Sequence, residues 1–246
     1  MNEMLAIIPA RCGSKGVKNK NIKKLAGHPL LAYSIAAAKL ARIDYVIVST
    51  DSEDYAEIAI NYGAQVPFIR SSQISKDNST DYEFMYHAMH WVRENKEFLP
   101  EYWVHLRPTT PLRDPEIINV AASSIMSNPS ATSLRSGHLA SESPFKWFMK
   151  DSNGYFVGLD KDLTSDKINQ PRQSFSDVYV PNGYVDVVRS SYVLNNSELH
   201  GNKMLVFDTP HVNEIDTVDD FNYLEYKINE NELPIIKYLN KITEAQ

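Results

Sequence analysis

Cysteine is almost missing from this chain: Cys12 stands alone among 246 residues. That excludes an internal disulfide and any cysteine-rich metal centre, and it makes the cytoplasm the expected compartment. Cys12 itself reads as a small loop filler or as a thiol made reactive by basic neighbours. Long apolar runs are missing too. None approaches the roughly 18 residues of a membrane span, and Met1-Asn2-Glu3-Met4 lacks the basic start of a secretory leader. There is no excess of positive charge, the formal net being −6, which argues against a nucleic-acid partner. Two familiar phosphate-binding spacings, Gly-x-x-x-x-Gly-Lys-Ser/Thr and Gly-x-Gly-x-x-Gly, are also absent.

Within this acidic chain one stretch is crowded with bases and holds no acid. Between Arg11 and Lys24 stand six basic residues, Arg11, Lys15, Lys18, Lys20, Lys23 and Lys24. An apolar run from Met4 to Ile8 precedes them, of strand length, and ends at Pro9, which cannot donate to a ladder. Gly13 and Gly16 let the following backbone turn with its N–H groups close to a ligand, while Arg and Lys reach in from both sides. The stretch reads as an anion cradle after the first strand; a solvated basic loop is the plainer alternative.

The rest of the chain alternates. Helices are expected over 30–41, 53–62, 81–95, 114–128 and 218–229, and strands over 45–49, 65–70 (an edge, because of Pro67), 102–106, 131–135, 184–189 and 204–207. Such alternation argues for a mostly parallel, doubly wound α/β sheet whose strand ends face a ligand crevice. Asp51, at one strand end, lines that crevice or shares with Ser52 the task of capping the next helix. His87 and His90 lack further ligands and read as structural. Glu214 and Asp216 lie two apart, so an extended backbone would turn both carboxylates to one face, as a hard cation requires; alternatively Asp216 or Thr217 only caps the last expected helix. From 137 to 177 the alternation weakens, with Asn153-Gly154 as a hairpin turn.

The string Arg11-x-Gly13-Ser14-Lys15-Gly16-x-x-x-Lys20-Asn21, directly after Ile7-Ile8-Pro9-Ala10, resembles the signature of the acylneuraminate cytidylyltransferase family. Arg107-Pro108-Thr109-Thr110-Pro111-Leu112-Arg113, Gln170-Pro171-Arg172-Gln173 and Pro181-Asn182-Gly183 resemble its later motifs, in matching order. The resemblance implies a nucleotidyltransferase domain over 1–136 and 178–246, with an inserted dimerisation arm over 137–177 and a homodimer. It implies transfer of CMP from CTP to the anomeric hydroxyl of a nine-carbon 2-keto sugar acid, of sialic or legionaminic type, with Mg²⁺ as cofactor. An eight-carbon acceptor and a non-catalytic nucleotide- or sugar-binding protein are the alternatives.

Carried over residue by residue, Arg11, Gly13, Ser14, Lys15 and Lys20 are expected on the triphosphate and Asn21 on the nucleotide. Arg70 would serve the nucleotide or the sugar. Arg11, Lys20 and Asp216 are the expected catalytic residues, and Glu214 and Asp216 the expected metal ligands. Arg107, Thr109, Lys146, Arg172, Gln173, Asn182 and Asp186 fall to the sugar acid. Two of these depart from the family pattern: Arg107 stands where Gln is common and Asp186 where Tyr is usual. The two charges can compensate each other as an ion pair.

Overall fold

The apolar run after Met4 forms β1 (Met4–Pro9), in which Leu5, Ala6, Ile7 and Ile8 are fully buried. The structure, a computed structural model, describes residues 4–231 and 233–244; the expected domain's outermost residues, 1–3 and 245–246, lie outside these. After the basic loop, β2 (Lys24–Leu25) and β3 (His28–Pro29) form a short antiparallel ladder. Then α1 (Leu30–Leu40) runs under the sheet, buried from Leu30 to Ala38.

β4 (Val46–Ser49) follows, and then α2 (Glu53–Asn61). Ser52 caps α2 by accepting from the Tyr55 N–H, at 3.4 Å, so Asp51 is not its cap; nor does Asp51 line the crevice, because both its carboxylate oxygens accept from Cys12. The expected strand over 65–70 is reduced to two isolated parallel bridges, Gln65 to Ile47 and Ile69 to Thr50. Pro67 between them cannot donate to a ladder.

Next come α3 (Asp81–Asn95), β5 (Tyr102–His105) and α4 (Pro115–Met126), the last with Asp114 as its cap and Pro115 in its first turn. β6 (Ser133–Leu139) runs four residues past its expected end, into the segment expected to be arm. A hairpin of β7 (Phe148–Lys150) and β8 (Phe156–Gly158) turns through Asn153-Gly154, and a short α5 (Ser165–Ile168) follows. β9 (Tyr179–Arg189) begins five residues before its expected start. After it come α6 (Ser190–Asn196), β10 (Met204–Asp208), α7 (Val218–Asn229) and α8 (Pro234–Glu244). Thr217 and Asp220 form the capping box of α7, so Asp216 is not its cap.

The main sheet has the order β10-β6-β9-β5-β1-β4. Every pairing is parallel except those of β9, which runs antiparallel between β6 and β5. Alternation along the strands splits the core in two. Ala6 and Ile8 face the layer of α1, α4, α7 and α8, whereas Leu5 and Ile7 face Phe84, Met85 and Met89 of α3 and Val193 of α6. Helices on both faces make the expected doubly wound α/β fold. Among the described residues no helix is long and apolar enough to cross a membrane.

Candidate active site

In a parallel sheet the C-terminal strand ends share one edge, and a crevice opens there. Because β9 runs the other way, its first half, not its last, reaches this edge. The crevice encloses about 480 Å³ and takes its lining from three segments: the end of β1 with the loop after it, residues 70–84, and the loop after β5.

The first segment is the basic loop. Gly13 and Asn19 adopt left-handed φ of 76° and 53°, and buried Asn21 closes the turn by donating Nδ2 to the Arg11 carbonyl at 2.9 Å. Arg11, Ser14, Lys15, Lys20 and Asn21 all line the crevice. Lys20 Nζ donates to the Ile215 carbonyl at 2.8 Å and pairs with Asp216 Oδ1 at 3.1 Å. Gly16 presses on the same segment, where an added Cβ would lie 2.8 Å from the Asp216 carbonyl oxygen. Cys12 points away, its N–H and Sγ both on Asp51 at 2.8 and 3.3 Å. Burial, then the Asp51 carboxylate, push this thiol above its usual pKa, which disfavours the reactive thiolate.

The second segment brings the expected Arg70 together with Asp77 and Asp81, which were not expected in the site. Asp77 bridges two of the loop cations, 2.8 Å from Arg11 Nη2 and 2.5 Å from Lys15 Nζ. Arg70 is buried in the crevice lining, over the Phe84 ring, and its Nε and Nη2 have no partner among the described residues. Asp81 opens α3 and pairs with Arg107 Nη2 at 2.7 Å.

From the third segment, Arg107 and Thr109 line the crevice. Arg107 Nη1 lies 2.8 Å from Asp186 Oδ2, so the compensating ion pair is present. Burial disfavours the Arg107 charge, but Asp186 and Asp81 outweigh it and hold the pKa above its usual value. His105, directly opposite Asp186 in the sheet, is pushed down to about 3 by burial and by the Arg107 charge, so it is neutral. Arg113 is a buried clamp, donating to the Tyr184 carbonyl at 2.5 Å, the Gly183 carbonyl at 2.7 Å and Ser34 Oγ at 3.0 Å.

The other expected site residues lie outside this lining. Asn182 is buried and tied into the sheet, its Oδ1 accepting from Ser136 Oγ at 2.8 Å and its Nδ2 donating to Thr209 Oγ1 at 2.9 Å. Asp186 is fully buried behind Arg107. Glu214 accepts from the Gly183 N–H, while Asp216, with 77% of its side chain exposed, stands beside Lys20. Ile215 between them is fully buried, as alternation requires. On the arm, Lys146 donates to the Gln170 carbonyl at 2.8 Å and Arg172 to the Ser141 carbonyl at 2.9 Å. Arg172 and Gln173 line a separate cavity of about 340 Å³.

An open α/β sheet, with a cationic cradle after its first strand and polar residues at successive strand ends, defines a nucleotidyltransferase-type protein. Residues 5–237 match the cytidylyltransferase family, and the chain belongs to that family of nucleotidyltransferases. It is similar to the post-translational flagellin modification protein B of Campylobacter coli, at 30% identity over 239 residues, covering 95% of this chain and 98% of the relative. It is also similar to a pseudaminic acid cytidylyltransferase of Campylobacter jejuni, at 27% identity over 230 residues, 92% and 97% of the two chains. Among solved structures, a CMP:2-keto-3-deoxy-manno-octonic acid synthetase complexed with CTP superimposes with a TM-score of 0.68, covering 92% of this chain and 98% of that one. At 15% identity it speaks for the fold.

Proposed function

We propose that this cytidylyltransferase transfers CMP from CTP to the anomeric hydroxyl of a nine-carbon 2-keto sugar acid, releasing pyrophosphate. The observation that carries this reading is the convergence of Arg11, Lys15, Lys20 and Arg70 on one crevice, a density of cations suited to a triphosphate. The reaction forms a bond from the anomeric oxygen to the α-phosphorus. The α-phosphorus–oxygen bond to the β-phosphate breaks, and the hydroxyl proton leaves to solvent. Arg11, Lys15 and Lys20 would offset the charge gathering on the departing pyrophosphate.

Mg²⁺ belongs to the same proposal. Among the described residues no cluster of three or more His, Cys, Asp or Glu is arranged to hold a metal, but Mg²⁺ is commonly held by one or two carboxylates plus substrate phosphates. Exposed Asp216 and the neighbouring Glu214 fit that pattern. Bound there, the ion would neutralise phosphate charge and lower the pKa of the attacking hydroxyl.

A homodimer completes the reading. Phe148, Met149 and Tyr155 of the arm are 61%, 51% and 72% exposed, an apolar surface suited to a second copy. Such a copy is also what would bring Lys146, Arg172 and Gln173 to a crevice. Pyrophosphate release measured with CTP, UTP, GTP and ATP tests the nucleotide assignment; the expected result is activity with CTP alone, and a preference for a purine nucleotide would overturn it.

A further inference from the structure

The crevice wall at Arg107 is a chain of alternating charge and not a free cation. Asp186 is fully buried, Arg107 gives one nitrogen to it at 2.8 Å, and the other goes to Asp81 at 2.7 Å. One guanidinium is shared by two carboxylates; His105 beneath them is buried and neutral, and Arg135, opposite Asp186 in the sheet, adds positive charge near Asp81. Both Arg107 and Asp81 line the crevice, and Asp81 is the more exposed, its side chain 42% open against 21% for Arg107. Only its Oδ2 accepts from Arg107; its Oδ1 takes no hydrogen bond among the described residues. Asp81 is also fixed from the backbone side. It stands in the first turn of α3, whose capping box has the Thr80 N–H donating to Glu83 Oε2 at 2.5 Å.

A carboxylate so held repels another carboxylate and accepts from hydroxyl or amide N–H groups. We propose that Asp81 is a specificity-determining residue that reads a hydrogen-bond-donor edge of the acceptor sugar, with Arg107 and Asp186 as positioning residues that aim it. The inference rests on the crevice taking a sugar acid, and it changes what Arg107 does there. Its charge is offset by two acids, and in this reading it does not receive the sugar's carboxylate. The anionic end of the acceptor must be met elsewhere.

The two roles for Arg107 predict opposite signs. If Asp81 reads the sugar, Asp81→Asn turns an anionic acceptor into a weaker neutral amide and raises the KM for the sugar acid by about tenfold, the scale of losing a hydrogen bond to a charged group. The KM for CTP stays within about twofold. If Arg107 instead receives the sugar carboxylate, the same substitution frees the guanidinium and lowers that KM.

The experiment is steady-state pyrophosphate release by the full chain with saturating CTP and Mg²⁺. The acceptors are N-acetylneuraminic, N,N′-diacetyllegionaminic and pseudaminic acids, each tried with wild type, Asp81→Asn and Asp186→Asn. Asp186→Asn is expected to follow Asp81→Asn in KM with kcat little changed, a split that a merely structural role would not give. Should this buried substitution prevent folding, Asp81→Asn at the half-exposed position still decides the sign. An unchanged or lowered sugar KM in Asp81→Asn, or a rise confined to CTP, overturns the proposal while the transferase reading stands. A wild type that turns over none of the three acids removes the sugar-acid reading, and the proposal with it.

Discussion

Asp77 holds Arg11 and Lys15 together where the triphosphate is proposed to bind, so substrate must compete with a carboxylate of the protein itself. Both contacts are surface ion pairs, individually weak and salt-sensitive. Asp77→Asn is therefore expected to lower the KM for CTP about two- to fivefold at low ionic strength, the gain shrinking as salt is added. A raised KM would show that Asp77 orders the cradle and does not compete for it. The cations of this site were legible in the sequence because they crowd one acid-free stretch. Their partners were not: Asp77, Asp81 and Asp216 come from distant segments, and neither periodicity nor spacing encodes which acid meets which base. The Arg107–Asp186 pair was the exception, since the two residues depart together from the pattern they resemble.

At the scale of elements, the site depends on how the loop after β1 seats against residues 214–216. Gly16 permits that seat, with an added Cβ only 2.8 Å from a backbone oxygen of Asp216, an atom that cannot swing aside as a side chain can. Gly16→Ala is expected to lift the loop, break the Lys20 contacts to Ile215 and Asp216, and cut kcat/KM by more than about tenfold, the scale of misplacing a catalytic group. Unchanged kinetics would mean the loop does not act from this position. β1, β4 and β5 were readable because strands buried on both faces appear as continuous apolar runs. The direction of β9 was not, because an apolar run carries no polarity, yet that direction is what brings Gly183 beside Glu214 at the crevice edge. Helix α8 was not expected although its signal is present: Pro234 opens it, and Ile235, Ile236, Leu239 and Ile242 recur at helical spacing.

Over the whole molecule, exposed apolar side chains are found on the arm and also on the strands that flank it, at Leu139, Tyr179 and Val180, and on β10 at Val206, which is 62% exposed. Exposed apolar surface of this kind is where a second copy would pack. Sedimentation velocity is expected to find a dimer, and Phe148→Glu to shift it toward monomer; a wild type that stays monomeric at micromolar concentration would contradict the arm's role. CMP transfer is read as pyrophosphate release from CTP and Mg²⁺ with each of a panel of 2-keto sugar acids, wild type against Asp216→Ala. Release is expected to depend on one nine-carbon acid and to be lost in Asp216→Ala. No release with any acid, from a protein that still binds CTP, would contradict that transfer.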